Sequence, residues 1–311
     1  MNNIYHCLYL TIEKHAMLNN IKLNASDAFH YLGGYDFYYK KLDNDITPTY
    51  KLVGNKIDFN MFFLGCGIKI DRIIEKTEEE ALSNSVSIIE SENAQLVFAN
   101  CYYLPYDKKN YQTSYENHMI LILNFLPEEG VFEIYDPFYG IQSLSRETLM
   151  VARENTLQKK YQYLNIDYTH CQPNNRENYQ NIIINNSMNF LEKGLLQMIK
   201  FKKELYFIEG KEGFYRDLAY LNLIKLIKHP HGMITTRKLM WESLGGITNF
   251  KENGFLNLSN LWIKFSNDLI RLRKNKKDIQ YVVDCFDYII KQERLCNEKI
   301  LEFLKDDKLG Y

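Results

Sequence analysis

The hydrophobic pattern of this chain changes character about halfway along it. Residues 1–150 mix short segments of helical spacing with short segments rich in strand-forming side chains. From about residue 177 onward the pattern is helical almost throughout, with Gly, Pro or Asn between the segments. We therefore predict an α+β protein, with a mixed N-terminal domain over residues 1–168 and an all-helical C-terminal domain over residues 177–311.

The charge balance and the short apolar runs argue against binding to nucleic acid and against insertion into a membrane. The chain has 38 Lys and Arg against 39 Asp and Glu, a balance that argues against nucleic-acid binding as its main function. The longest apolar runs, over residues 61–68 and 119–126, are far shorter than the roughly twenty residues of a membrane span. The first fifteen residues lack a basic start and an uninterrupted apolar stretch, so we expect no signal peptide and a cytoplasmic location.

Five predicted elements of the N-terminal domain bear on function. A helix begins at Cys7, a strand covers residues 95–103, and a further helix covers residues 144–154. Two more strands, over residues 118–125 and 131–135, are separated by a short segment containing Pro and Gly. This arrangement predicts a β-hairpin.

The most informative pair of residues is His118 and Asp136, one on each strand of that hairpin. If the turn centres on Glu128, residues whose numbers add up to 256 lie opposite each other. Asp136 then faces Ile120, and His118 lies two residues along on the same face. Such diagonal neighbours are roughly 7–8 Å apart, close enough for the two side chains to reach each other and form a hydrogen bond. A slip of one residue would put the two on opposite faces. In the predicted register, Asp136 orients the imidazole and stabilises its charged form, as the third member of a catalytic triad does.

Cys7 fits the role of nucleophile that this pair requires. Backbone N–H groups and the helix dipole favour a thiolate at the start of a helix. A cysteine in that position, followed far downstream by His and then by Asp on paired strands, is the order found in papain-like enzymes. The alternative is that Cys7 is a buried structural thiol and that the His118–Asp136 spacing is fortuitous. Their joint occurrence in this order favours the catalytic interpretation.

The other cysteines and histidines give no metal signature. The six cysteines are scattered and form no C-x-x-C motif, so we expect free thiols. His229 and His231 lie at a predicted helix junction without a carboxylate or cysteine at ligand spacing, which favours a capping turn. We predict neither a metal nor a resident cofactor.

Several segments of the first half carry a family resemblance. They are HC at residues 6–7, NASDAF at 24–29, YLGGYDFYY at 31–39, NCYYLPY at 100–106, SLSRETLMVAR at 143–153, and the segments around His118 and Asp136. In this order they resemble the butirosin biosynthesis protein H family, over about the first half of the chain. The second half is similar only in being helical and in a WESL segment at residues 241–244.

The resemblance implies a papain-like, C39-peptidase-like N-terminal domain that acts as an acyltransferase in antibiotic biosynthesis. The namesake of that family takes an acyl group from the phosphopantetheine thioester of an acyl carrier protein and passes it to an amine. Carried over, Cys7 would attack the thioester, His118 would take its proton, and Asp136 would orient His118. A substrate amine would then attack the acyl-enzyme to give an amide. The phosphopantetheine enters on the carrier protein, so the chain itself needs no cofactor.

The resemblance departs from the C39 pattern at the oxyanion hole. C39-type enzymes usually have a Gln several residues before the cysteine, and none of the six residues before Cys7 is Gln. The predicted donors are therefore the Cys7 backbone N–H together with Asn2, Asn3 or His6. The predicted substrate-binding set is completed by three residues from the segments that carry the likeness, namely Gly33, Gly34 and Tyr103.

Other functions stay open on the sequence alone. A cysteine peptidase or amidase would use the same residues, with water in place of the amine. A catalytically silent binding protein would keep the fold without turnover. The expected partners are an acyl carrier protein or another thioester donor and a small-molecule amine. The basic cluster at residues 271–277 is a solvated helix end or the surface that meets an acidic carrier, and a homo-oligomer also stays open.

Overall fold

The structure, a computed structural model, describes residues 6–42, 49–55, 57–157, 159–172, 176–247 and 254–309. Its α-helices are α1 (Cys7–Leu18), α2 (Ala25–Tyr31), α3 (Phe59–Cys66), α4 (Glu78–Glu92), α5 (Arg146–Glu154), α6 (Arg176–Asn189), α7 (Leu195–Glu209), α8 (Gly213–Lys228), α9 (Met233–Ile247), α10 (Phe255–Arg273) and α11 (Ile279–Leu309). Its strands are β1 (Tyr35–Leu42), β2 (Thr49–Asn55), β3 (Lys69–Ile74), β4 (Gln95–Asn100), β5 (Asn117–Leu126), β6 (Val131–Asp136), β7 (Gly140–Ser145) and β8 (Gln162–Asp167). The α+β class and the helical character of the C-terminal region are confirmed.

The chain forms two compact units, and each unit is made of two separate segments of the sequence. The first unit comprises Met1–Ala28 and Phe59–Asn175, and the second comprises Phe29–Asp58 and Arg176–Tyr311. The later boundary, between Asn175 and Arg176, falls in the interval between the two predicted domains, residues 168–177. The structure nevertheless divides the chain differently from the predicted 1–168 and 177–311, because the β1–β2 hairpin belongs with the C-terminal helices.

The first unit is built on an antiparallel sheet of six strands in the order β3-β8-β4-β5-β6-β7. One face of this sheet forms a core in which Val97 of β4, Ile120 of β5 and Ile134 of β6 are fully buried. Helices α4 and α5 contribute Ala81 and Leu149 to the same core. The alternation of apolar residues along β5 and β6 therefore fixes which side chains face these helices.

Pairing between β5 and β6 follows the predicted register at the end of the hairpin away from the turn. Leu121 pairs with Tyr135 and Ile122 with Ile134, as the turn centred on Glu128 requires. Nearer the turn the register shifts by one residue, so that Asn124 pairs with Glu133. The turn itself is thus displaced, and the irregularity between residues 122 and 124 restores the predicted pairing before the strand ends.

Strand β4 ends earlier than predicted. The sequence predicts a strand over residues 95–103, but residues Cys101–Tyr103 form a 3₁₀ turn. The cause is the fully buried Asn100, whose side-chain oxygen accepts a hydrogen bond from the Tyr102 N–H at 3.0 Å. Its side-chain nitrogen donates to the Asn155 carbonyl at 2.7 Å, which ties this turn to the end of α5.

The second unit contains the β1–β2 hairpin and helices α6 to α11. A fully buried arginine, Arg237 of α9, joins the hairpin to the helices. Its Nε donates to Glu293 of α11 at 2.8 Å, and its Nη1 donates to the carbonyls of Asp36 and Gly54 at 3.0 and 3.1 Å. Trp262 of α10 donates to the same Glu293 oxygen at 2.9 Å. This buried ion pair therefore holds both strands of the hairpin and three helices in one arrangement.

A helix that crosses a bilayer needs about twenty predominantly apolar residues in succession. In the parts of the chain that the structure describes, we find no helix both long enough and apolar enough to cross a bilayer.

Candidate active site

The residues predicted to form a catalytic triad lie on three elements of the first unit. Cys7 is the first residue of α1, His118 lies at the start of β5, and Asp136 is the last residue of β6. Antiparallel pairing brings the start of β5 beside the end of β6. Helix α1 is attached to β5 by Thr11, whose hydroxyl donates to the Met119 carbonyl at 3.4 Å.

Asp136 is fully buried, and both of its carboxylate oxygens are hydrogen-bonded. Its Oδ2 accepts from His118 Nε2 at 2.7 Å and from the Tyr106 hydroxyl at 3.0 Å. Its Oδ1 accepts from the backbone N–H groups of Phe138 and Tyr139 at 2.7 and 3.2 Å. Burial alone would raise the pKa of this carboxyl, but these bonds and the charge of His118 hold the pKa below its ordinary value. Asp136 is therefore an ionised anchor for His118.

His118 is buried and held from two sides. Its Nε2 is engaged by Asp136, which leaves Nδ1 for a second partner. The Phe138 ring stacks on the imidazole, with centroids 5.6 Å apart and planes inclined by 19°. Burial would lower the pKa of His118, but the negative charge of Cys7 and the hydrogen bonds to Asp136 and Cys7 raise it to about 10. The arrangement thus stabilises an imidazolium.

The thiol of Cys7 is buried, with 5% of its surface exposed, and it interacts with two imidazoles. Its Sγ lies 3.6 Å from Nδ1 of His6, and His118 also interacts with it electrostatically. Burial alone would raise the pKa of this thiol. The charges of His6 and His118 and their hydrogen bonds outweigh burial, and they hold the pKa well below 9.0. Cys7 and His118 are therefore arranged as a thiolate–imidazolium pair.

His6 has a second function as the N-cap of α1. It adopts an extended backbone conformation, and its Nδ1 accepts a hydrogen bond from the Leu8 N–H at 3.2 Å. The Cys7 N–H, at the start of α1, stays the predicted oxyanion donor. Asn2 and Asn3, the other predicted donors, lie outside the described residues.

A second thiol close to Cys7 has the opposite electrostatic environment. Cys101 follows the end of β4 and is buried. Burial and the negative charges of Asp107 and Cys7 raise the pKa of Cys101 to about 12. No positively charged side chain of the described residues offsets this rise in the pKa of Cys101. Proximity to the site is therefore not sufficient to make a thiol reactive. The pKa of Cys7 is low because His6 and His118 act on it.

Sequence reasoning did not identify the residues that position Asp136. Besides Tyr106, these include Asp107, which accepts a hydrogen bond from the Tyr139 hydroxyl at 2.6 Å. Tyr139 in turn donates its backbone N–H to Asp136. The Asp-Pro sequence at residues 136–137 was a signal for this turn, because an Asp side chain commonly accepts from N–H groups two or three residues later. The tyrosines carried no comparable signal.

Gly33 and Gly34 have a structural role in the second unit, where they end α2. The Gly33 N–H donates to the His30 carbonyl at 3.0 Å and the Gly34 N–H to the Phe29 carbonyl at 2.9 Å. Both glycines have positive φ, 110° and 63°. The structure therefore assigns them to a different unit from Cys7, and their part in substrate binding stays a prediction. Tyr103, by contrast, belongs to the first unit and lines a pocket.

Comparison with known proteins does not extend this description. No family model and no curated protein matches the chain. Within the described residues, no group of His, Cys, Asp and Glu is arranged to hold a metal ion.

The opposite pKa shifts of the cysteines predict selective alkylation. The thiolate is the reactive form, and its fraction rises as pH passes upward through the pKa. Since the pKa of Cys7 lies well below 9.0, we expect the rate at which iodoacetamide modifies Cys7 to level off at a lower pH than that of an ordinary thiol. Cys101, with a pKa of about 12, should contain about 10⁵-fold less thiolate than thiol at pH 7. Alkylation followed by peptide mass mapping from pH 5 to 9 measures both rates.

A Cys101→Ala variant is the control for this measurement, because it removes the neighbouring thiol and leaves His118 in place. Its rate at Cys7 should equal that of the parent protein. A Cys7 rate that rises about tenfold per pH unit between pH 7 and pH 9 would contradict the lowered pKa.

Proposed function

We propose that this protein is a cysteine-dependent acyltransferase in which Cys7 is the nucleophile and His118 the general acid and base. The observation that carries the proposal is the buried His118–Asp136 hydrogen bond of 2.7 Å beside a thiol whose pKa is held well below 9.0. Covalent catalysis by cysteine requires this combination of a thiolate and an oriented imidazole. Cys66, a buried thiol of the same unit without an imidazole, has its pKa raised to about 12 by burial.

In the first step the Cys7 thiolate attacks the carbonyl carbon of a thioester. A bond forms between Sγ and that carbon, and the negative charge on the carbonyl oxygen is stabilised by the Cys7 N–H at the start of α1. The bond from the carbonyl carbon to the donor sulfur then breaks. His118 gives its proton to the departing thiolate, which leaves an acyl group on Cys7 and a neutral imidazole.

In the second step an unprotonated amine attacks the acyl carbon. His118 accepts the proton of the amine as the carbon–nitrogen bond forms. The bond between the acyl carbon and Sγ breaks, and Cys7 departs as a thiolate. The products are an amide and the original thiolate–imidazolium pair, so the cycle requires no further reactant.

The choice of thioester and amine depends on the resemblance to the butirosin biosynthesis protein H family. On that basis we propose a papain-like fold for the first unit, an acyl carrier protein as donor, and a small amine of specialised metabolism as acceptor. The site can accept a thioester, because a thiolate leaving group needs less help from a general acid than the amine leaving group of a peptide does.

Intact-protein mass spectrometry tests the proposal. The purified protein is mixed with a panel of acyl-pantetheine thioesters, with and without an added amine. We expect a mass increase that maps to Cys7, that is absent in Cys7→Ala, and that persists in Cys101→Ala. Addition of the amine should remove the adduct and release an amide.

Two other outcomes contradict the proposal in distinguishable ways. An adduct on Cys7 that is lost to water at the same rate with and without amine would assign the protein as a hydrolase. Absence of an adduct with every thioester, together with resistance of Cys7 to alkylation, would identify Cys7 as a structural thiol.

A further inference from the structure

The first unit contains a small open pocket next to the segment that follows Cys101. Its volume is about 270 Å³, and it is lined by three tyrosines, Tyr102, Tyr103 and Tyr111, and by the carboxylate residue Glu147. This volume lies at the lower limit of the usual range for small-molecule pockets, and it suits a head group of a few heavy atoms.

The aromatic wall is held in place by contacts within the unit. The Tyr102 and Tyr103 rings meet edge to face with centroids 5.1 Å apart, and Tyr115 contacts both at 5.8 and 6.2 Å. The Gln112 N–H donates to the Tyr102 carbonyl at 3.0 Å, which attaches the segment carrying Tyr111 to the 3₁₀ turn. The Tyr102 and Tyr103 rings, and the backbone next to Tyr111, are therefore held in place before any ligand binds.

The charge of the pocket is negative. Glu147 lies in the first turn of α5, it is exposed, and its carboxylate takes part in none of the ion pairs formed by the described residues. Its neighbour Arg146 is paired instead with Glu78, at 3.7 Å. No lysine or arginine is among the residues that line the pocket. Glu147 is thus a charge without a counter-ion beside three aromatic rings.

From this arrangement we infer that the pocket binds an alkylammonium group. Aromatic faces attract cations through their quadrupole, and a carboxylate beside them adds direct charge attraction. An anion would be repelled by Glu147, and a neutral alkyl group would gain neither interaction. The inference does not depend on acyl transfer, since Cys7 contributes no atom to the pocket.

The test compares choline with its neutral isostere 3,3-dimethylbutan-1-ol, which has the same shape but no charge. Saturation-transfer NMR on the full chain measures binding of each compound. We expect saturable choline binding with a dissociation constant in the millimolar range and at least about fivefold weaker binding of the alcohol. Cys7→Ala should bind choline as the parent does, which separates this inference from the proposed activity.

Variants of the pocket and of a matched surface position complete the experiment. Glu147→Gln should weaken choline about three- to tenfold and leave the alcohol unaffected, and Tyr111→Leu should weaken choline by a similar factor. Glu128→Gln, in the β5–β6 turn, removes an equivalent exposed carboxylate and should change neither. Equal binding of choline and the alcohol, unchanged choline binding in Glu147→Gln, or no saturation at 100 mM choline would each overturn the inference.

Discussion

Replacement of His118 by alanine is expected to lower the rate of acyl-enzyme formation by about 10³- to 10⁴-fold near neutral pH. Two contributions are lost together. Cys7 loses one of the two imidazoles that lower its pKa, and the departing thiolate loses its proton donor. Single-turnover kinetics with an acyl-pantetheine measures the rate, and circular dichroism shows that the variant is folded.

The pH dependence distinguishes this chemical effect from a structural one. In the parent protein the pKa of Cys7 lies well below 9.0 and that of His118 is about 10, so the rate should be constant between these values. Above pH 10 it should fall, because the imidazolium loses the proton that the leaving group needs. In His118→Ala the thiol keeps only His6 as an imidazole partner, so the pH at which the rate levels off should be higher than in the parent protein.

His15 supplies a matched control for His118. It is a second buried histidine of the first unit, and its imidazole is hydrogen-bonded to the Tyr168 hydroxyl at 2.9 Å and to the Ala94 carbonyl at 3.3 Å. His15→Gln should alter stability and leave the rate and pH profile of the remaining folded protein unchanged. If His118→Ala reacts within tenfold of the parent, His118 is not the general acid and base.

Replacement of Arg237 by methionine is expected to reduce the free energy of unfolding of the second unit by about 3–5 kcal/mol. The substitution leaves the carboxylate of Glu293 buried without a cation, and it removes the donors to the carbonyls of Asp36 and Gly54. Both tryptophans of the chain, Trp241 and Trp262, lie in this unit, so their fluorescence in a urea titration follows its unfolding.

A double variant tests whether the unpaired charge causes the loss. Glu293→Gln keeps an oxygen that accepts from Trp262 and removes the negative charge. Combined with Arg237→Met, it should recover a substantial part of the stability that the single Arg237→Met variant loses, because no isolated buried charge remains. A loss below 1 kcal/mol in Arg237→Met would show that water reaches Glu293.

The hydrogen bond between His118 and Asp136 was predictable because it depends on local rules. The two-residue alternation along a strand and the position of a hairpin turn determine which residues share a face. The prediction placed the turn slightly wrongly, yet the pairing of Leu121 with Tyr135 is as expected, since the register shift near Asn124 compensates. The helix that begins at Cys7 was likewise indicated by its own apolar spacing.

The remaining features depend on contacts between distant segments, which hydrophobic spacing does not specify. An apolar face shows that a segment is buried, but it does not identify what buries it. Phe37 of β1 illustrates this, because it packs against Phe201 and Trp262, more than 160 residues away along the chain. The positions of Tyr106 and Tyr139 around Asp136 were unpredictable for the same reason.

The interleaved order of the two units has a consequence for how the protein is made. The ribosome synthesises Phe29–Asp58 long before α9, α10 and α11. Aromatic side chains of α10 pack against Tyr35 and Phe37, and Arg237 of α9 donates a hydrogen bond to the hairpin backbone. The first unit, which contains the whole Cys7–His118–Asp136 arrangement, can meanwhile fold around an inserted segment that still lacks its partners. Tyr35 and Phe37 therefore lack these packing partners until the last helices have been synthesised. A gene fragment that ends at the unit boundary after Asn175 would leave both side chains exposed to solvent.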